Sequence, residues 1–444
     1  MKSRRFTRRT FLMGAAMAAA GCATGSRIAK AAPSPNEKLN IAGIGVGGKG
    51  ASDIWACRGH NVVALCDVDD VRAAESIRNF PNATYYKDFR VMLEKENIDA
   101  VTISTPDHTH AVAAMAAMEQ GIHVYVQKPL THTVAEARML TEAARRYGVA
   151  TQMGNQGHAD EGVRQLCEVI WSGALGDVTE VHCWTDRPIW PQGLVDPLPA
   201  EEVPAHMDWD LWLGPAPYRD YNAGYAPFNW RGWWDFGCGA LGDMACHIMD
   251  PAYWALHLGA PTSVECVRQE GNTAQSGPVK SVIRYDFPER EADGRTWPAL
   301  TFYWYDGGEL PERPEGIPAE EKLGDGDNGT LFIGSKGYMS CGTYGGNPRL
   351  HPESENAAVV VPEPYIERVP DNSPYEDWFR ACKGGPAACS NFEYSGPFSE
   401  IVLLGNIAVR TGQRIEWDAA NMQVTNVPEA NALLTRDNRE GWKI

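Results

Sequence analysis

A glycine turn, Gly45-Val46-Gly47-Gly48-Lys49-Gly50, constrains this chain more than any other feature. The apolar run Leu39–Ile44 ahead of it reads as a strand, and Ala51–Cys57 behind it reads as a helix. A second apolar run, Asn61–Cys66, ends at Asp67. Strand, glycine turn, helix, strand and acid, in that order, form the G-x-G-x-x-G unit that binds dinucleotides. The first glycine allows the tight turn, the second lets a pyrophosphate reach the backbone, and the third lets helix and strand pack closely. The helix N-terminus then faces the phosphates. An overlapping frame starts at Gly43, but the Gly45 frame leaves a full strand in front of it. Asp67 lies about 17 residues past Gly50, where a carboxylate accepts hydrogen bonds from ribose hydroxyls and disfavours a 2′-phosphate. NAD is therefore expected over NADP.

The alternation continues through the first third of the chain. Asp88–Lys95, Ala111–Gln120 and Ala135–Tyr147 read as helices; Ala100–Ser104, His123–Val126 and Ala150–Met153 read as strands. Strands alternating with helices predict a Rossmann-type, doubly wound parallel sheet over residues 36–155, with ligands at the carboxyl ends of its strands. Asp67, Thr105, Lys128 and Asn155 all follow strand ends. The expected cofactor set is thus Gly45, Val46, Gly47, Gly48, Lys49, Gly50, Asp67, Thr105, Pro106, His110 and Lys128.

From residue 156 the pattern changes. Gly162–Ser172 reads as one helix and Thr179–Trp184 as an alternating strand. A long Pro/Trp-rich stretch follows, then alternating runs at Val282–Phe287, Ala299–Tyr305, Thr330–Ile333 and Ala358–Val361. Helices are expected at Tyr375–Lys383 and near Glu400–Thr411, and a charged surface loop over 306–328. Residues 156–420 are expected to form an α+β substrate and oligomerisation domain with a mostly antiparallel open sheet, and 421–444 a C-terminal tail.

Within that half, Gly237–Asp250 opens in glycines and continues as a helix from near Leu241. It carries Asp243 and His247 four residues apart, on one helix face. Oxidising a carbinol needs a base for the O–H proton, which histidine supplies near neutral pH, and a cation for the developing alkoxide. By spacing alone, D-x-x-x-H reads first as a structural pair capping a helix, and two metal ligands are the lesser alternative because a third ligand with convincing spacing is missing. A metal is not expected.

The glycine turn, Thr105-Pro106, Gln127-Lys128-Pro129 and the D-x-x-x-H together resemble the glucose–fructose oxidoreductase / inositol dehydrogenase (Gfo/Idh/MocA) family. The resemblance covers roughly residues 36–440. It implies an NAD-dependent enzyme that exchanges hydride with a secondary hydroxyl of a sugar, glycoside or cyclitol. His247 would be the general acid/base, Asp243 its substrate-side partner, and Lys128 the contact to both hydroxyl and nicotinamide. The family usually reads Glu-Lys-Pro, so Gln127 is a departure. Met153–His158 and Phe228–Asp235 look typical of exported members. Asn155, His158, Arg231, Trp233 and Trp234 are the substrate-binding candidates, because aromatic faces stack on sugar C–H surfaces and adjacent polar groups bind hydroxyls. For the tryptophans the plain alternative is core packing; for His158 and His182 it is a satisfied core histidine.

Met1–Ala32 reads as an address rather than as part of the fold. Thr7-Arg8-Arg9-Thr10-Phe11-Leu12 precedes an apolar run of about eleven residues, the arrangement of a twin-arginine export signal. Cleavage after Ala31 gives a soluble periplasmic protein; a weak lipobox ending at Cys22 would leave a lipid anchor. That route carries folded proteins, so a tightly bound NAD is expected. The first 31 residues hold seven bases and no acid, which leaves the body at 33 bases against 57 acids, a balance of −24. Such a body repels phosphate backbones, so nucleic acid is not an expected partner. The eleven cysteines form no C-x-x-C. A homo-oligomer is expected. The same residues also suit an NAD-dependent glycosidase that oxidises transiently, or a sugar-binding protein that keeps the fold without turnover.

Overall fold

The computed structural model describes residues 37–356 and 362–444. The expected export signal, Cys22 and the run Ala358–Val361 lie outside the described residues.

Six parallel strands form the first sheet: β1 (Asn40–Ile44), β2 (Asn61–Cys66), β3 (Thr84–Tyr86), β4 (Ala100–Ile103), β5 (His123–Val126) and β6 (Thr151–Met153). Their spatial order is β3-β2-β1-β4-β5-β6, the doubly wound order with its switch point between β1 and β4. The crossover helices are α1 (Lys49–Ala56), α2 (Asp70–Asn79), α3 (Phe89–Lys95), α4 (Asp107–Met118) and α5 (Val134–Tyr147). Asp69 caps α2 by accepting from the Val71 and Arg72 amides, and Thr133 with Glu136 makes a capping box on α5.

After α6 (Glu161–Trp171), strand β7 (Val178–Trp184) enters a nine-stranded sheet, whose strands are interrupted by the short helices α7 (Trp209–Leu213), α9 (Asp250–Ala255) and α10 (Glu353–Asn356) and by α8 (Gly239–Ile248). Its other members are β8 (Ser263–Glu270), β9 (Lys280–Phe287), β12 (Leu300–Tyr305), β13 (Gly329–Gly334), β14 (Gly337–Cys341), β15 (Arg349–His351), β16 (Ile415–Asp418) and β17 (Gln423–Val424); β10 (Arg290–Ala292) and β11 (Arg295–Trp297) form a separate hairpin. Only β7 and β12 pair in parallel, so the sheet is mostly antiparallel as its alternating pattern predicts. Phe302 and Trp304 of β12 face inward, while Tyr303 and Tyr305 alternate onto the other face. Residues 306–328 carry no strand or helix, as expected.

The two halves share one core. Helix α12 (Phe392–Thr411) packs against α5, and its buried Phe398, Val402 and Leu404 join Leu140 of α5 and Ile283 of β9 in one cluster. The helix expected near Glu400–Thr411 begins earlier, at Phe392, where Asn391 caps it by accepting from the Glu393 amide, and it runs on through Pro397.

The chain also returns to the first sheet. Helix α11 (Pro374–Cys382) buries Trp378 and Phe379 against Leu39, Ile41 and Tyr125 of that sheet. Residues 421–444, expected as a tail, pack in as well: Val424 joins the nine-stranded sheet, and Trp442 is buried beside Phe89. The ten described cysteines are all unpaired, most of them buried in the core. No helix among the described residues is long and apolar enough to cross a membrane.

Trp378 is fully buried at the α11–sheet contact, so Trp378→Ala should cost about 3–5 kcal/mol of stability. Urea unfolding checks this. A loss under about 1 kcal/mol would mean that α11 is not anchored through this ring.

Candidate active site

One cleft of about 580 Å³ runs across the carboxyl ends of β1, β2, β4 and β5. At one end lies the glycine turn, and here the fit to a dinucleotide can be tested on the backbone. A Cβ on Gly45 would meet the Ser104 backbone at 2.8 Å, and a Cβ on Gly50 would lie 1.8 Å from the Gly45 carbonyl oxygen. No side chain fits at either position, so the turn leaves its rim open to a phosphate. Asp67 stands beside it. One of its carboxylate oxygens accepts from the amides of Val46 (2.9 Å) and Gly47 (3.1 Å), the other from Asp69 (3.0 Å). Burial pushes this carboxyl up, while the three amide donors hold it down. Arg72 of α2 lies across Gly47 and Gly48, and Lys87 lines the same end. Turn, carboxylate and cleft fit NAD(H).

At the other end the two halves of the chain meet. Lys128 follows β5, and helix α8 (Gly239–Ile248) brings Asp243 and His247 from the second half. The Lys128 ammonium donates to the Asp243 carboxylate at 3.0 Å and to its carbonyl at 2.6 Å. The Arg231 guanidinium donates to the same carboxylate oxygen at 3.1 Å. Burial would raise the Asp243 carboxyl, but Lys128 and Arg231 outweigh it and hold the group at about 2. His247 is buried, its Nδ1 has no partner among the described residues, and the Tyr344 ring meets it edge-on at 4.9 Å. Burial and the Lys128 charge push its pKa down to about 3, so the imidazole is neutral with a lone pair to offer. Asp107, the first residue of α4, also lines the cleft and accepts from the Cys238 amide at 3.1 Å. Burial raises its carboxyl to about 7 despite the pull of Arg231 and Lys128.

Of the expected residues, Gly45, Gly47, Gly48, Lys49, Asp67, Thr105, Pro106, Lys128, Arg231, Asp243 and His247 all line this one cleft. Val46 and Gly50 support the turn from behind. His110 is placed differently. Its Nδ1 lies 2.8 Å from the Pro129 carbonyl oxygen and its Nε2 2.9 Å from that of Thr105; the neutral ring donates to one of the two, and it sits between two strand-end loops instead of facing a ligand. Asn155 and His158 bond the buried Asp250 carboxylate, with Tyr394 as its third partner, and do not line the cleft. Trp233 is fully buried with its ring against Tyr225, and Trp234 donates to the Thr273 carbonyl at 3.2 Å. Both are core tryptophans, which corrects the expectation of a sugar-stacking surface at these positions. Trp230, Phe228 and Tyr344 take up the cleft wall instead. His182 lies on the sheet, bonded to Glu180 and Tyr305.

The sequence reading missed Asp107, Gln156, Arg187, Tyr344 and Trp442, which also line the cleft. Asp107 carried a signal, since it directly follows Thr105-Pro106. Tyr344 and Trp442 come from distant segments with no local pattern.

His108, His110, His132 and His247 share one electrostatic consequence. Burial is the first cause in each case, and it lowers His108 and His247 to about 3, His110 to about 4 and His132 well below the usual value. Unfolded, each titrates near 6.5. Their folded pKa values lie below the unfolded one, so the stability they allow is complete above pH 6.5 and falls as the pH drops towards 4. Asp107 and Asp306, both raised to about 7 by burial, act with the opposite sign and offset only part of this. The melting temperature should therefore be several degrees lower at pH 5 than at pH 7.5. An equal or higher value at pH 5 would contradict the neutral buried histidines.

Comparison with known proteins agrees with this geometry. A family model described as "Oxidoreductase family, NAD-binding Rossmann fold" matches residues 39–155, and its companion, "Oxidoreductase family, C-terminal alpha/beta domain", matches 162–337. Inositol 2-dehydrogenase of Salmonella typhimurium is 31% identical over 149 residues, which is 33% of this chain and 44% of that protein. The chain thus spans about half the length of the curated relatives it matches. Among solved structures, the WlbA dehydrogenase of Chromobacterium violaceum, in complex with NADH and UDP-GlcNAcA, has a TM-score of 0.60 at 16% identity, covering 88% of this chain and 99% of that one. An inositol dehydrogenase homologue of Azotobacter vinelandii, complexed with NADH and myo-inositol, has a TM-score of 0.54 at 16% identity, covering 86% and 98%. At such identities the structures establish the fold.

Proposed function

We propose, for a chain that belongs to the Gfo/Idh/MocA oxidoreductase family, that it oxidises or reduces a secondary hydroxyl of a sugar, glycoside or cyclitol by hydride exchange with a tightly held NAD(H). One observation carries this reading: the Lys128–Asp243 pair and His247 stand in the same cleft as the glycine turn and Asp67. The nicotinamide, when bound, supplies the hydride acceptor. Lys128, His247 and Asp243 do the rest. Lys128, already a hydrogen-bond donor towards Asp243, stabilises negative charge on the substrate oxygen. His247, neutral in its buried position, takes the hydroxyl proton as hydride leaves the carbon. Asp243, ionised, fixes Lys128 and offers its remaining lone pairs to a neighbouring hydroxyl.

Asp107 favours a second outcome of the same oxidation. A carboxyl that titrates near neutrality is a second proton-holding group, which simple oxidation does not need. Once the ring carbon is a ketone, the adjacent C–H is acidic. One group can then remove that proton while another protonates the departing glycosidic oxygen. Addition of water and return of the hydride would leave a hydrolysed glycoside and no net redox change.

The proposal includes export by the twin-arginine route, supported by Arg8-Arg9 and the apolar run behind them, with periplasmic location or a lipid on Cys22 as its two forms. It also includes a homo-oligomer, supported by the exposed Val267 and the Tyr303 and Tyr305 rings on the outer face of the nine-stranded sheet.

The test is single-turnover reduction of bound NAD, followed at 340 nm, with myo-inositol, glucose and 4-nitrophenyl glycosides as substrates. His247→Ala and Lys128→Ala should each slow it about 10²–10⁴-fold with the cofactor still bound. The two losses should be less than additive if both residues act on one oxygen. A wild-type rate in His247→Ala would place the proton acceptor elsewhere, with Asp107 the next candidate. Nitrophenol release without an external electron acceptor would select the hydrolytic outcome. Separately, Asp67→Ser should relax discrimination against NADP, because Arg72 and Lys87 already line that end of the cleft. An unchanged NAD/NADP affinity ratio would remove Asp67 from the cofactor set.

A further inference from the structure

Directly under the cleft lies a fully buried carboxylate, Asp53 of α1. Four donors converge on it. Ser104 at the end of β4 donates its hydroxyl at 2.6 Å, Gln127 at the end of β5 its amide at 2.8 Å, and Tyr375 of the returning helix α11 its hydroxyl at 2.5 Å. The fourth is the Lys49 ammonium from the glycine turn. A carboxylate taken out of water is tolerated only when it is paired and fully hydrogen-bonded, and this one is. Its donors are not scattered. Lys49 and Gln127 both line the cofactor cleft, and Gln127 directly precedes Lys128.

We propose that Asp53 is a positioning residue for this site: its negative charge fixes the Lys49 ammonium of the glycine turn and, through the Gln127 amide, the segment that carries Lys128. The proposal rests on the reading of the cleft as a nicotinamide cofactor site.

Asp53 also accounts for Gln127. An ionised aspartate only accepts hydrogen bonds, so its neighbour must donate, and glutamine does. A glutamate at 127 would set two carboxylates within hydrogen-bond distance, and one would have to stay protonated. The Gln127 side chain packs directly on the Gly154 backbone, where a Cβ would lie 2.7 Å from its amide carbon. The Gln127-Lys128-Pro129 of this chain, in place of Glu-Lys-Pro, thus supplies the donor that the Asp53 carboxylate requires.

A polarity-reversal cycle tests this with the full chain. Wild type, D53N, Q127E and D53N/Q127E are each loaded with excess NADH. The rate at which bound NADH is lost on dilution is followed by its fluorescence, alongside the melting temperature. Each single variant should lose NADH roughly tenfold faster, and the double variant should return to within about threefold of wild type, a coupling in the range found for contacting residues. If a single variant fails to fold, the double variant should still fold and hold NADH. Losses that simply multiply in the double variant overturn the proposal. So does a double variant that regains its melting temperature but not its hold on NADH, because the network would then be structural only. Wild-type protein that binds no NADH overturns the cofactor reading itself, and this proposal with it.

Discussion

The Lys128 ammonium and the Asp243 carboxylate meet at 3.0 Å where the parallel sheet joins the second half of the chain. Each is mostly buried, and neither would be stable there alone: removing one partner of a buried pair leaves an uncompensated charge. Arg231 adds a second cation to the same carboxylate, so that Asp243 stays ionised in spite of its burial. Much of the surrounding architecture serves to hold this contact. His110 sits between the loops after β4 and β5, the Cys238 amide anchors Asp107 beside them, and α12 bonds the Cys238 carbonyl through Asn406.

That contact also sets the chemistry available. A cation fixed at a strand end beside the cleft stabilises an alkoxide without reorganising, which is where electrostatic catalysis gains most. The same cation lowers the proton affinity of His247, as burial does, so the imidazole waits in its neutral form. Asp107 moves the opposite way and holds its proton near neutrality. Two groups with pKa values pushed apart in one cleft is the pattern expected of paired base and acid roles.

The strands of the parallel sheet were legible because each is a short apolar run bounded by turn residues; β2 and β5 fall where the pattern places them. The G-x-G-x-x-G turn, Lys128 and the D-x-x-x-H helix were legible because their function demands fixed residue types at short spacing. The rest depends on distant segments. Trp230, Trp233 and Trp234 are indistinguishable by composition, yet only the first borders the cleft, because a side chain's direction in an irregular loop is decided by packing and not by local pattern. His158 reads as a ligand candidate until Asp250, far along the chain, claims its ring nitrogen at 2.9 Å. Tyr375 reaches the first sheet only after most strands of the second, Trp442 meets Phe89 of α3 only at the end of the chain, and α2, capped by Asp69, carries too weak an apolar stripe to stand out.

A crystal structure of the full chain with NADH is the most direct test of the account. It predicts the adenosine ribose against Asp67, the pyrophosphate over Gly47 and Gly48, and the nicotinamide ring in the space bounded by Lys128, Met244 and His247. The reactive carbon should then lie where a substrate carbon can approach to about 3–3.5 Å while its hydroxyl reaches both Lys128 and His247. A nicotinamide ring bound away from Lys128, with the Lys128–Asp243 pair left facing open solvent, would contradict it.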